Sequence, residues 1–98
     1  MPNDAMKLAT HTLQVDDARV RVTEWRFAPG AHTGHHVHEL DYVVVPLTAG
    51  RLRQILPDGG IRETDLAVGQ SYARPKGVEH DVVNPNPHVF AFVEIELK

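Results

Sequence analysis

The residues with the clearest chemical potential are histidines gathered in one short stretch. Four of the seven histidines lie within seven residues, at His32, His35, His36 and His38. Histidine is the commonest protein ligand for transition metals, because a neutral imidazole nitrogen offers a lone pair. His36 and His38 are separated by one residue, so on an extended segment both rings lie on the same face. A metal needs ligands that converge from one side. On these residues alone, a histidine-rich surface loop that binds metal adventitiously is the alternative interpretation.

A second ordered pattern supplies another histidine. It has the form G-x5-P-x-G-x2-H-x3-N, with its fixed positions at Gly69, Pro75, Gly77, His80 and Asn84. Glycine permits turns and proline stiffens the chain, so the pattern describes a tight approach to a strand that begins near the histidine. Glycine and proline usage alone gives this spacing about once per several thousand start positions. His80 is therefore the candidate that joins His36 and His38 at a metal.

Composition limits what such a site could be part of. The 98 residues suit one small domain, and 42% hydrophobic with 23% charged residues is typical of a globular protein. The formal charge of −3 and the lack of a basic run argue against nucleic acid as a partner. Because the chain contains no cysteine, a metal site must use nitrogen and oxygen ligands.

The first residues are polar and acidic where a signal peptide would have a basic start and a long apolar core. Residues 1 to about 8 are expected to form a loose tail. No segment approaches the roughly 20 apolar residues of a membrane helix. We therefore expect a cytoplasmic protein that does not contact membranes.

The remainder of the chain is divided into short β-type runs by turn residues. The predicted strands are 10–15, 20–27, 42–47, 51–56, 61–66, 71–74, 78–83 and 88–97. The sequence Pro57-Asp58-Gly59-Gly60 is typical of a hairpin turn. No window shows an apolar period of 3.6 over ten or more residues, so little or no helix is expected. Eight or nine short strands predict an all-β sandwich or barrel, and we favour the barrel because closure limits exposed edges.

The two patterned stretches resemble the paired motifs of the cupin superfamily, small β-barrels of the jelly-roll (RmlC-like) type. The first motif, G-x5-H-x-H-x(3,4)-E-x6-G, is matched by Gly30, His36, His38 and Gly50, and the second is matched at all five fixed positions. Segments 21–30, 41–46 and 92–97 are similar to small single-domain cupins of the BauB-like, β-alanine degradation type. The resemblance implies one cupin domain over 1–98, with motif one at 30–50 and motif two at 69–84. It also implies a metal held by His36, His38 and His80 inside the barrel.

One position departs from the family pattern. The glutamate of the first motif should fall at Tyr42 or Val43, and neither is a carboxylate. Glu39, Asp41, Tyr42 and His32 remain open as substitutes for the missing ligand. The expected cofactor is one divalent transition metal, and iron, nickel, manganese, zinc and cobalt all accept imidazole ligands.

Other side chains are assigned from their position on strands. Tyr42 and Arg74 are the candidate catalytic residues. Arg26 and Arg74 are weighed as clamps for a ligand carboxylate, against the commoner role of a surface arginine. We expect His11 and His88 at the surface, and His35 as a packing or surface residue. The aromatic residues Trp25, Phe27, Phe90 and Phe92 are expected in the core. Glu94 and Glu96 are expected to be exposed or paired with arginines.

Three functions fit these observations. The first is a metal-dependent enzyme of small carboxylate or amino-acid catabolism, acting as a dioxygenase, isomerase or lyase. The second is a non-catalytic cupin that binds or senses a metabolite or metal, favoured by the lack of a strong base beside the three histidines. The third is a structural barrel with a vestigial site. The ligand is expected to be a small carboxylate, and the outward residues Val43, Val45, Ile95 and Leu97 predict a homodimer.

Overall fold

The computed structural model describes residues 7–98. In that range the chain forms nine strands: β1 (Thr10–Asp16), β2 (Val20–Phe27), β3 (His36–Val37), β4 (Asp41–Pro46), β5 (Gly50–Ile55), β6 (Ile61–Leu66), β7 (Tyr72–Arg74), β8 (Glu79–Val83) and β9 (Phe90–Leu97). The described part contains no helix, and so none that could cross a membrane. Most of the predicted tail lies outside the described residues, and Leu8 within it forms an isolated bridge with His32.

The strands form two antiparallel sheets. One has five strands in the order β1-β2-β9-β4-β7, and the other has four in the order β3-β8-β5-β6. The prediction of an all-β jelly roll is confirmed. The hydrogen-bonded ladders do not close into one continuous barrel, so the two sheets form a sandwich with a space between them.

The period-two alternation of strands places the core between these sheets. Phe27, Phe90 and Phe92 fill it from the five-stranded sheet, and Leu52 and Val82 face them from the other sheet. All five side chains are buried, which confirms the predicted core positions of the three phenylalanines. Leu52, Val82 and Phe92 also form the boundary between this core and a cavity between the sheets.

Asn84, the last fixed residue of the second motif, anchors the end of β8. Its side chain is fully buried, and its Nδ2 donates to the carbonyl oxygens of Phe27 at 3.0 Å and His88 at 2.9 Å. Phe27 is the last residue of β2 and His88 lies just before β9, and both strands belong to the five-stranded sheet. A buried amide with satisfied donors therefore fixes the two sheets relative to each other.

The outer face of the five-stranded sheet is also apolar. Val15, Val22, Ile95 and Val43 are register partners across four adjacent strands, so their side chains form one row on that face. The inner face of the same sheet covers the core. The sheet therefore has apolar residues on both faces, of which residues 7–98 cover only the inner one.

Candidate metal site

Three histidine side chains meet at one end of the sandwich. The Nε2 atom of His38 lies 3.1 Å from Nε2 of His36 and 3.1 Å from Nε2 of His80. His36 and His80 are direct register partners between β3 and β8. Among the described residues, these three form the group of histidine and acidic side chains whose ligand-type atoms lie within 4.8 Å of one another. The two sequence motifs are therefore adjacent in space.

His38 lies just beyond the end of β3, and backbone bonds hold it in place. Its amide donates to the carbonyl of Val78 at 2.8 Å, and its carbonyl accepts from the amide of Gly77 at 2.7 Å. Gly77 has a φ of 95°, a left-handed conformation that glycine adopts without steric cost. The glycine of the second motif thus ties the turn before β8 to the histidine of the first motif.

Each ring is oriented by a partner on its Nδ1 atom. Nδ1 of His36 lies 2.8 Å from the carbonyl oxygen of Gly34, and Nδ1 of His80 lies 3.0 Å from Oε1 of Gln54. Both partners are oxygen acceptors, so each Nδ1 carries the proton and each Nε2 presents a lone pair to the cluster. Two nitrogens at metal-bonding distances of about 2.1 Å from one ion are roughly 3 to 3.5 Å apart, which matches the observed spacing of 3.1 Å. The residues therefore fit a metal.

The electrostatics of the cluster favour neutral rings. Burial, together with a smaller effect of the neighbouring histidines, lowers the pKa of His80 to about 3 and that of His38 to about 4. Imidazole binds metal only in its neutral form. At neutral pH, His38 and His80 are therefore already in the binding form.

Glu94 corrects a sequence-based prediction. It was expected to be exposed or paired with an arginine, but its side chain is only 13% exposed and its Oε2 lies 3.6 Å from Nδ1 of His38. Burial raises the pKa of Glu94 to about 7, helped by the charge of Glu96 and opposed by a hydrogen bond from Trp25. Its period-two relation to Phe90 and Phe92 places all three on the inner face, and this signal could have identified it.

The proposed substitutes for the missing glutamate ligand lie in different surroundings. Asp41 is exposed and accepts the amide of Lys76 at 2.8 Å, while Nδ1 of His32 lies 2.9 Å from a carboxylate oxygen of Asp81. Glu39 is exposed at the rim. None of these three belongs to the histidine cluster among the described residues.

Tyr42 has a different relation to the site. Its ring stacks on the ring of His38, with centroids 3.8 Å apart and an interplanar angle of 16°. The side chain is buried, and burial raises the pKa of its hydroxyl, so the phenol stays neutral at physiological pH. The aromatic contact restricts the orientation of the His38 ring.

The three histidines open onto a cavity of about 570 Å³ between the sheets. This volume is in the range of small-molecule sites. Its wall combines the aromatic residues Trp25, Tyr42, Tyr72 and Phe92 with the charged residues Arg21, Arg74, Glu94 and Glu96. Trp25 therefore lines the cavity as well as packing on Phe27, whereas the sequence predicted only a core role.

The two arginines considered from the sequence differ in position. Arg74 lines the cavity, whereas Arg26 is exposed and pairs with Glu24 at 2.7 Å. Arg21 and Gln54 are site residues that sequence reasoning missed. His11 and His88 are exposed as predicted, and His35 is exposed and pairs with Glu79 at 2.6 Å.

No family model matches the chain. It is, however, 57% identical over 90 residues to the β-alanine degradation protein BauB of Pseudomonas aeruginosa, covering 92% of this chain and 94% of that protein. The crystal structure of a cupin domain from Bordetella pertussis Tohama I is 51% identical, covers 98% of this chain and 99% of its own, and superposes with a TM-score of 0.93. The polyketide cyclase RemF of Streptomyces resistomycificus, at 24% identity and a TM-score of 0.72, shares the fold.

Proposed function

Because this chain belongs to the cupin superfamily and, within it, to the family of BauB, we propose that it binds one divalent transition metal through His36, His38 and His80. The observation that carries this proposal is the orientation of the rings. Lone pairs at 3.1 Å face one another while the Nδ1 protons of His36 and His80 are held by oxygen acceptors. Without a cation these lone pairs repel, and a cation converts the repulsion into three bonds.

We propose that the metal serves catalysis on a small molecule. Three neutral histidines leave a divalent ion with its full charge and with open positions for a ligand, where it supplies Lewis-acid chemistry. The relative BauB is named for β-alanine degradation. We therefore propose that this chain acts in the breakdown of a small amino acid or carboxylate. Dioxygenase, isomerase and lyase reactions are the classes that such a site supports.

The chain's own residues would prepare the site for this reaction. Tyr42 fixes the His38 ring by stacking, and Gln54 fixes the His80 ring through its Nδ1. Trp25 and Phe92 present an apolar wall that excludes water from the cavity floor. Arg74 offers a cation to a ligand carboxylate. Tyr42 and Arg74 therefore remain the proposed residues that touch a bound substrate.

Glu94 favours an enzyme over a non-catalytic binding protein. The case for a binding or sensing protein was the lack of a base beside the three histidines. The structure has a buried carboxylate at the cavity wall, 3.6 Å from His38. A carboxylate on the far nitrogen of a metal-binding histidine also increases the basicity of that ligand.

The test of metal binding is elemental analysis of tag-free protein purified without oxygen. The His80→Ala variant removes one proposed ligand, and His35→Ala is the matched control because His35 is exposed and paired with Glu79. We expect about one metal ion per chain in the wild type and in the control, and a loss of more than about tenfold in metal affinity in His80→Ala. Wild-type protein that neither contains metal nor binds added divalent ions would contradict the proposal.

We also propose that the protein is a homodimer. The apolar row on the outer face of the five-stranded sheet, Val15, Val22, Ile95 and Val43, supports this proposal. Leu97, at the end of the strand that carries Ile95, adds an apolar side chain that is 45% exposed. A second copy is the partner that covers the same face on both chains at once.

A further inference from the structure

The cavity contains two arginines, and they differ in how they are neutralised. Arg21 has carboxylates on both sides, with Glu96 at 3.5 Å and Asp16 at 3.8 Å. Within residues 7–98, no carboxylate oxygen lies within 4.0 Å of the Arg74 guanidinium; its Nη1 donates to the carbonyl of Ala73 at 3.1 Å. Arg74 therefore brings to the cavity a guanidinium that makes no ion pair within the described residues.

The guanidinium of Arg74 is held in a defined place. Its central carbon lies 4.9 Å from the centre of the Tyr72 ring, a cation–π contact that restricts the side chain. Arg74, Tyr72 and Gln54 line both the main cavity and an adjoining cavity of about 170 Å³. Arg74 thus lies where the two cavities meet. Because the contact with Tyr72 already restricts its side chain, less side-chain entropy is lost when a ligand binds.

Arg74 is also close to the histidine cluster in the sheet. Its register partner in β4 is Tyr42, whose ring stacks on His38. On the opposite sheet, Gln54 joins the same cavity wall and accepts from His80. Arg74 and the three histidines therefore line the same cavity, and Tyr42 is a neighbour of both.

We propose that Arg74 binds the carboxylate of a short acid whose second oxygen group, a carboxylate or a carbonyl, faces the three histidines. This inference rests on the proposed metal site for the second end of the ligand. A guanidinium binds a carboxylate through two parallel hydrogen bonds. A divalent ion on three neutral histidines attracts oxygen donors and repels an ammonium group. A guanidinium and a divalent ion in one cavity would thus favour a short dicarboxylate or oxo acid over an amino acid of the same length.

The experiment uses malonate, acetate and β-alanine as probes, titrated calorimetrically into the protein with and without bound Zn²⁺. Arg74→Gln removes the guanidinium proposed to bind the carboxylate. Arg26→Gln is the matched control, because Arg26 is exposed, pairs with Glu24 and lies outside the cavity. We expect malonate to bind the zinc-loaded wild type more tightly than acetate or β-alanine. We expect at least a roughly tenfold loss of malonate affinity in Arg74→Gln and a change within about twofold in Arg26→Gln. Arg74→Lys should fall between, because lysine keeps the charge but not the two-pronged geometry.

Three results would overturn the inference: unchanged malonate affinity in Arg74→Gln, equal losses in both glutamine variants, or tighter binding of β-alanine than of malonate. Zinc content and far-ultraviolet circular dichroism of each variant separate ligand binding from folding. Titration of the metal-free protein separates the two proposals. If zinc does not bind but malonate binding still depends on Arg74, the metal site fails and the Arg74 site stands.

Discussion

At the scale of single residues, the site depends on what lies behind the histidines. Gln54 and the carbonyl of Gly34 set the protonated nitrogen of His80 and His36. Glu94 faces the corresponding nitrogen of His38 at 3.6 Å. Partners of this kind fix the tautomer and direction of a metal-binding ring, and their loss typically costs about 10–100-fold in metal affinity. A buried carboxylate among neutral histidines also affects how the metal-free protein responds to pH.

The sign of that response follows from the pKa shifts. The folded pKa values of His38 and His80, about 4 and 3, lie below the ordinary value of 6.5. As the pH falls below 6.5, these two side chains therefore bind protons more readily in the unfolded chain than in the folded protein. They thus lower the free energy of unfolding as the pH falls. Glu94 acts oppositely, because its folded pKa of about 7 lies above the ordinary 4.5. Between pH 4.5 and 7 the folded state holds its proton, so Glu94 reduces stability as the pH rises.

Glu94→Gln should remove the contribution of Glu94 to the pH dependence of stability, which opposes that of His38 and His80. We expect the free energy of unfolding of the metal-free variant to rise with pH more steeply than that of the wild type between pH 5 and 6.5. The difference in slope should be about 1.4 kcal/mol per pH unit, the value for one proton. Urea denaturation at several pH values measures it. Parallel slopes in the two proteins would show that Glu94 titrates alike in the folded and unfolded states.

At the scale of elements, the turn before β8 connects the two motifs. The amide of Gly77 bonds to the carbonyl of His38, and His80 enters β8 opposite His36. The backbone therefore positions His38 and His80 together, before any side-chain contact is considered. Gly69 has a similar left-handed φ of 77°, but its amide bonds to Pro46, away from the histidines.

Gly77→Ala and Gly69→Ala form a matched pair. Both force a Cβ into a left-handed conformation, and in both cases the added atom would meet nothing within 4 Å. Each should therefore destabilise the fold by about 1–2 kcal/mol through backbone strain alone. Only Gly77→Ala should also weaken metal binding, measured by competition with a chromophoric chelator. Equal metal affinities in the two variants would mean that the turn does not position His38.

At the scale of the whole molecule, the apolar outer face of the five-stranded sheet is the main feature left unexplained by a single chain. With a rise of about 3.4 Å per residue and a spacing of about 4.8 Å between strands, the five strands present roughly 500 Å² on that face. A standard protein interface buries roughly 800 Å² per partner. The face is thus large enough to supply more than half of a dimer contact.

Val43→Lys tests this arrangement, because Val43 lies within the apolar row. We expect light scattering to show a dimer for the wild type and a monomer for the variant, since a buried lysine on the symmetry-related face costs several kcal/mol. Ile61→Lys is the matched control. Ile61 is 64% exposed on β6, in the other sheet, so the Ile61→Lys variant should remain dimeric. A monomeric wild type at working concentration would contradict the proposal.

The strands and the residues with metal-binding potential could be predicted from the amino-acid sequence alone. Strands such as 20–27 and 61–66 have the predicted bounds, because period-two alternation and turn residues are local properties of the chain. The spacing of His36 and His38, and the turn before His80, are local as well. The short strand β3 was the least visible element, since two residues are too few to show a period.

Which side chains contact one another could not be predicted from the sequence, because it depends on the tertiary structure. Glu94 approaches His38, and Gln54 approaches His80, across gaps in sequence that no local pattern spans. Alternation shows which face a residue occupies, but its neighbours on that face depend on strand order and register. The same holds for the two arginines of the cavity. Because β2 lies beside β9, Arg21 meets Glu96, whereas Arg74 on the edge strand β7 has Tyr42 as its register partner.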